Sequence, residues 1–314
     1  MRIASLLPSG TEILCALGAL PELVGRSHEC DYPAEVRELP SLTRTRLDAS
    51  GSSVRVDSDV RRLIEQALAI YEVDLDALAA ARPEVVVTQD LCDVCAVSLG
   101  DVCRATERVL GSNVAIVSLR PERLSAIWDD VRHVARAVGR PNEGNALAHG
   151  LEERVAELAR KVPARLRRPK VLSIEWLSPV MIGGLWMPEL IELSGGTSLV
   201  TAPAERAPTL APAELSRLDP DVVLVKPCGF ALEHTLGELA LVAEALPWSS
   251  WRAAREGRVF VADGNAFFNR SGPRIVESLE ILAACLHPLV FPELREKHAG
   301  SARRLTRELE AVPI

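Results

Sequence analysis

Two distant segments of the chain follow one pattern. Ala81-Arg82-Pro83-Glu84-Val85-Val86-Val87-Thr88 is echoed by Leu218-Asp219-Pro220-Asp221-Val222-Val223-Leu224-Val225. In each, a proline disfavours helix at the residue before it, and an almost unbroken apolar run follows. A strand without polar alternation is covered on both faces, which is the condition of a parallel sheet flanked by helices. A cysteine follows each run, Cys92 in the first and Cys228 in the second. The echo therefore points to a duplicated α/β architecture, with two similar lobes in one chain.

The intervening sequence fits that plan. A strand is predicted over 2–7 and a helix over 11–17, closed by Gly18, with a short strand over 23–25. Residues 43–58 are polar and read as an extended loop, and 57–71 as an amphipathic helix. A short helix over 75–81 precedes the strand over 85–88. A helix over 97–109, a strand over 114–119 and a helix from 121 to the break at Gly139-Arg140-Pro141 complete the first lobe. Residues 142–161 form a helix about 30 Å long, enough to run from one lobe to the other. Beyond a basic connector, the second lobe has strands over 170–174, 222–225 and 258–262 and helices over 188–193 and 273–286. The predicted division is 1–141, an interlobe helix over 142–162, and 163–314, with ligand bound in the groove where the strand ends face each other.

Charge narrows the partners. The 314 residues include 36 basic and 43 acidic side chains, a net charge of −7, which argues against nucleic acid and anionic membrane as principal partners. No apolar run reaches the ~20 residues that membrane insertion needs. The first residues lack a signal-peptide pattern or a lipobox-like cysteine, so the chain as written is expected in the cytoplasm, or outside it if the true start lies upstream. The seven cysteines are an odd, scattered set that suits a reducing compartment.

Several loops carry potential chemistry. Cys92 and Cys95 stand in Cys-x-x-Cys spacing just beyond the strand that ends near Gln89 and Asp90. They read as ligand or metal contacts, as a thiol–disulfide pair at a helix start, or as small residues in a turn. His28, Glu29 and Cys30 put imidazole, carboxylate and thiol side by side. Together His28, Cys30, Cys92 and Cys95 would make a four-ligand set for zinc or another transition metal. Aromatic residues are only 4% of the chain, yet Trp176, Trp186, Phe267 and Phe268 gather near predicted strand ends in the second half. They either close the core or wall a large flat ligand. Glu175 follows its strand directly, and Arg270 or Arg274 could meet an anionic group. No nucleophile elbow, phosphate loop, dinucleotide fingerprint or His-Glu-x-x-His motif is present.

Leu7-Pro8-Ser9-Gly10-Thr11-Glu12, Gly25-Arg26-Ser27-His28-Glu29-Cys30-Asp31-Tyr32-Pro33, Arg82-Pro83-Glu84-Val85-Val86-Val87, Glu192-Leu193-Ser194-Gly195-Gly196 and Asn269-Arg270-Ser271-Gly272-Pro273-Arg274 occur in an order that resembles the cobalamin-binding members of the class III substrate-binding proteins of ABC transporters. The resemblance implies two Rossmann-like lobes joined by a single long helix. It also implies a ligand cleft lined by loops holding Ser9, His28, Glu29, Cys30, Gln89, Asp90, Cys92, Cys95, Glu175, Trp176, Trp186, Phe267, Phe268 and Arg270. Aromatic residues of cobalamin binders stand about where Glu29 and Gln89 are here, whereas Phe267 and Arg270 keep the family pattern. An ABC permease is the implied partner. The family docks through a glutamate on each lobe, and Cys95-Ala96-Val97 occupies the expected first-lobe position.

The leading expectation is a non-enzymatic protein that binds cobalamin or a related corrinoid. The alternatives are a metal-ion or metal-chelate binder using His28, Glu29, Cys30, Cys92 and Cys95, and a thiol-dependent corrinoid-processing enzyme.

Overall fold

The computed structural model describes residues 1–46, 48, 50–65, 70–91, 97–111, 113–248 and 250–314. The chain divides into two compact units, the first comprising Met1–Gly51, Arg55–Pro121 and Ser125–Glu152, and the second Ser52–Val54, Glu122–Leu124 and Glu153–Ile314.

The elements up to the division are β1 (Ile3–Ser5), α1 (Pro8–Ala16), β2 (Leu23–Arg26), β3 (Thr43–Thr45), α2 (Ser53–Glu65), β4 (Tyr71–Val73), α3 (Leu75–Ala81), β5 (Val85–Gln89), α4 (Leu99–Leu110), β6 (Ala115–Leu119) and α5 (Leu124–Ala137). The division between the units falls within α6 (Pro141–Lys161). Strands β2-β1-β5-β6 form an all-parallel sheet. Val85, Val86 and Val87 are buried, as the unbroken apolar run requires of a strand covered on both faces. Local chemistry sets the neighbouring helix ends. Asp74 accepts from Ala77 N–H at 3.0 Å to start α3, which stops at Arg82 in a left-handed conformation (φ 42°) before Pro83. Ser98 accepts from Asp101 N–H at 3.1 Å to start α4.

The second unit contains β7 (Lys170–Leu177), β8 (Val180–Ile182), α7 (Met187–Leu193), β9 (Thr197–Ser198), α8 (Pro212–Leu215), β10 (Val222–Val225), α9 (Leu232–Gly237), α10 (Leu239–Ala245), α11 (Arg252–Arg255), β11 (Val259–Ala262), α12 (Ile275–Leu286), α13 (Pro292–Lys297), β12 (Ala302–Leu305) and β13 (Ala311–Pro313). Its sheet runs β13-β12-β11-β10-β7-β8, and β9 also pairs with β7. The parallel set β9-β7-β10-β11 repeats the order β2-β1-β5-β6. Leu172, Ile174, Val223, Val225, Val259 and Val261 share one buried cluster with Trp251.

Three local expectations need correction. The segment read as one helix over 57–71 is α2 followed by β4, because Tyr71-Glu72-Val73 pairs antiparallel with Thr43-Arg44-Thr45. That pairing lies between segments 26 residues apart in sequence at their nearest pair, beyond any local periodicity. Glu175 and Trp176 lie inside β7, held there by the antiparallel β8. Finally, β11 is not the last strand, since β12 and β13 add antiparallel partners beyond it. The two arginines of β12 and the three-residue length of β13 hide them from a search for apolar runs.

Candidate functional site

In the parallel set of each sheet the chain leaves the first strand toward one neighbour and later places the next on the other side. Crevices at the carboxyl ends of strands open where this order reverses. In the first unit that point is between β1 and β5; in the second it is between β7 and β10.

At the first switch point, Pro8 opens α1 and Ser9 lies buried in its first turn. Gly10 lets this turn approach β5, because a Cβ there would stand 2.7 Å from Val87 Cγ1. Gln89 ends β5, and Asp90 beyond it faces Arg120 at 3.4 Å. Cys92 and Cys95 lie outside the described residues, as does the rest of 92–96.

His28 follows β2 and is fixed by groups the sequence did not single out. Its backbone N–H donates to Thr43 Oγ1 at 3.1 Å, and its Nδ1 lies 2.8 Å from the same oxygen. Thr43 in turn donates to Ser27 Oγ at 3.0 Å. Nε2 is buried and stands 3.2 Å from Glu29 Oε1. Tyr71 packs on the ring with centroids 5.3 Å apart. Strands β3 and β4, from the stretch that reads as loop and helix, thus form the seat of His28.

Cys30 is turned elsewhere. It is buried, with Sγ 2.9 Å from Thr11 Oγ1 on α1. Among the described residues no group of three or more His, Cys, Asp or Glu side chains is arranged to hold a metal ion. Burial raises the thiols of Cys15, to about 11 with Glu12 and Glu35 adding to the effect, and of Cys285. Both are poor nucleophiles.

The second switch point carries a buried ion pair. Lys226, the first residue after β10, is fully buried, and its Nζ donates to Glu175 Oε2 at 2.9 Å and to Asn269 Oδ1 at 2.8 Å. Asn269 returns hydrogen bonds to the carbonyls of Gly264 at 2.8 Å and Lys226 at 3.3 Å. Arg270 is buried beside it and donates to Asn265 Oδ1 at 3.0 Å. The sequence reading missed Lys226 and Asn269. The available signal was a lysine directly after four buried aliphatic residues, a position that demands a partner.

The four aromatic candidates separate. Trp186 is buried and donates through Nε1 to Phe268 O at 2.8 Å, and Phe268 has no exposed surface. Both belong to the core and do not form a ligand wall. Trp176 and Phe267 are only partly buried. Trp176 packs on Phe230 with centroids 5.1 Å apart, and Phe267 carries the Arg274 guanidinium 5.4 Å from its centroid. Behind Phe267, His298 lies edge-on at 6.5 Å and meets Glu280 Oε2 at 2.7 Å. Burial pushes the Glu280 carboxyl up, but hydrogen bonds from His298 and Lys297 outweigh it and hold the group down at about 2.

Among the described residues, no helix is long and apolar enough to cross a membrane. The chain is 21% identical over 298 residues to the uncharacterized ABC transporter substrate-binding lipoprotein YvrC of Bacillus subtilis (strain 168), covering 93% of this chain and 82% of that protein. Its fold is similar to the periplasmic heme-binding protein RhuT from Roseiflexus sp. RS-1, with a TM-score of 0.69, 21% identity and coverage of 92% of this chain and 98% of that one. It is similar also to the periplasmic vitamin B12 binding protein BtuF of Vibrio cholerae, with a TM-score of 0.64, 18% identity and coverage of 92% and 97%. The cytoplasmic location expected from the sequence gains no support from these relatives, one of which is named a lipoprotein and two periplasmic. The Periplasmic binding protein family model matches residues 3–266, and the chain belongs to that family, the class III substrate-binding proteins of ABC transporters.

Proposed function

We propose that the chain binds a metal-containing tetrapyrrole, a cobalamin or related corrinoid first, and releases it unchanged to an ABC permease outside the cytoplasm. The observation that carries this reading is the strand-end edge of the second unit. There Trp176 and Phe267 keep part of their surface free, and Arg274 lies over the Phe267 ring. Half-buried aromatic faces supply area for a flat macrocycle at small entropic cost, and guanidinium groups suit an anionic substituent such as a phosphodiester. In the first unit the corresponding candidate is His28, an imidazole seated on Thr43 and Tyr71 beside the Glu29 carboxylate. Glu29, Gln89 and Asp90 are the further polar candidates of the first unit, and Glu175 that of the second.

Haem is a second reading, favoured by the same pair of facts: a cation above a half-exposed ring, and an imidazole fixed through Nδ1. Titration of the full chain with hydroxocobalamin and, separately, hemin decides between them by visible spectra and co-elution. The expected result is a tight hydroxocobalamin complex, weakened at least about 10-fold in His28→Ala, a loss of roughly 1.4 kcal/mol. Binding of hemin alone transfers the assignment to haem. Binding of neither ligand refutes the proposal.

A further inference from the structure

The stretch from Arg160 to Lys170 stands out in a chain of net charge −7, because it holds six basic residues, Arg160, Lys161, Arg165, Arg167, Arg168 and Lys170. All six are exposed. Neighbouring carboxylates offset only part of the charge. Lys161 pairs with Glu157 at 3.2 Å, and Arg167 pairs with Asp221 at 3.0 Å, a carboxylate it shares with Arg252.

An open groove of about 250 Å³ adjoins this charge; Val162, Pro163, Leu166 and Leu193 give it an apolar floor, and Arg168 and the exposed Glu192 carboxylate also line it, one acidic side chain against the basic residues of the stretch. Arg168 is fixed at its side, donating through Nε to Gly196 O at 3.1 Å and through Nη2 to Glu192 O. A tight turn, closed by Leu166 N–H on Pro163 O at 2.9 Å, presents Ala164 and Arg165 outward. The surface adjoins the amino end of β7, whereas Glu175 lies toward the carboxyl end. Five residues at about 3.3 Å each separate Lys170 from Glu175 by ~16 Å. An occupant here leaves the candidate ligand edge of this unit open.

We infer that the groove and its basic turn dock an acidic, extended segment of a partner protein that inserts one aliphatic side chain. A flat anionic membrane would meet the charges and leave the concave apolar floor unused, whereas an acidic segment with an aliphatic residue satisfies both. The long arginine stems add apolar cover along the rim.

The probe is a fluorescein-labelled heptapeptide, Glu-Asp-Glu-Leu-Glu-Asp-Glu, titrated with the full chain by anisotropy at low salt. Saturable binding is expected, falling as salt shortens the screening length to about 3 Å near 1 M. Charge reversal by Arg165→Glu, and blocking by Ala164→Glu, should each weaken it at least about 10-fold. Replacing the peptide leucine with serine should also weaken it. Both substituted positions are exposed turn residues, and circular dichroism verifies that the variants fold. The inference is overturned if the peptide does not saturate, if neither variant changes its affinity, or if vesicles with anionic phospholipid retain the protein while the peptide does not bind. None of these readings depends on which ligand, if any, the strand-end edges take.

Discussion

Lys226 offers the sharpest test of how the second strand-end edge is built. Its ammonium is fully buried with two acceptors, Glu175 Oε2 at 2.9 Å and Asn269 Oδ1 at 2.8 Å. Coulomb attraction at that separation is about 6 kcal/mol at an effective dielectric of about 20. Desolvation of the ammonium cancels several kcal/mol of it, so the pair is worth little net against an apolar replacement. Breaking it from one side is another matter. Glu175→Gln strands the charge in a dry position and should cost about 3–5 kcal/mol. Lys226→Met leaves a carboxylate that keeps some access to water, since the Glu175 side chain is 23% exposed. Its cost should be smaller, about 2–3 kcal/mol. The double variant should then recover, with a coupling of at least about 2 kcal/mol between the two sites. Urea unfolding of the four proteins at pH 7 measures this cycle. Additive losses, or a milder effect of Glu175→Gln than of Lys226→Met, would show that Asn269 rather than Glu175 holds the ammonium.

Two further outcomes concern the frame around these edges. Burial, helped by neighbouring Asp129 and opposed by the Arg120 backbone N–H, raises the Asp130 carboxyl to about 7. A folded value above the unfolded one means that stability is highest below the unfolded value of about 3.8 and is lost as pH rises toward 7. Asp130→Asn should therefore gain about 2–4 kcal/mol relative to the wild type between pH 4 and pH 8; equal differences at both pH values in urea titrations would sink this. Gly264→Ala should destabilise by at least about 3 kcal/mol, because a Cβ there would stand 2.0 Å from Pro227 O and 2.7 Å from Lys226 O, backbone that cannot rotate away. A melting temperature within about 2 °C of wild type would contradict that placement.

The fold was legible where burial is two-sided. Runs such as Val85-Val86-Val87 and Val222-Val223-Leu224-Val225 admit few other placements, and each is a central parallel strand. Legibility failed at edges. Strands β3 and β4 are three residues each and pair with each other alone, so neither shows an apolar run. Strand β12 carries Arg303 and Arg304 at its centre. The site suffered the same way. His28 was visible from its neighbours, but Thr43 and Tyr71, which seat it, come from the misread segment. Composition drew attention to four aromatics, yet only packing separates Trp186 and Phe268 from the partly exposed Trp176 and Phe267.

The duplication itself explains why the fold was easier to read than the site. Aligning the two echoed strands puts Val87 opposite Leu224, and their register partners on the neighbouring strands are Ser5 and Ser173, both buried serines. Two residues further along each of those neighbours come Leu7 and Glu175, and two beyond the aligned strand residues come Gln89 and Lys226. One unit thus has leucine and glutamine where the other has glutamate and lysine. The two changes belong together: a fully buried ammonium is tolerable only with its counter-charge, and a carboxylate at Leu7, itself buried, would have no cation to meet it. The repeat therefore preserves the residues that make the sheets, and the chemistry begins where it lapses. Binding residues are to be sought among the positions at which the two halves differ just beyond their buried strands.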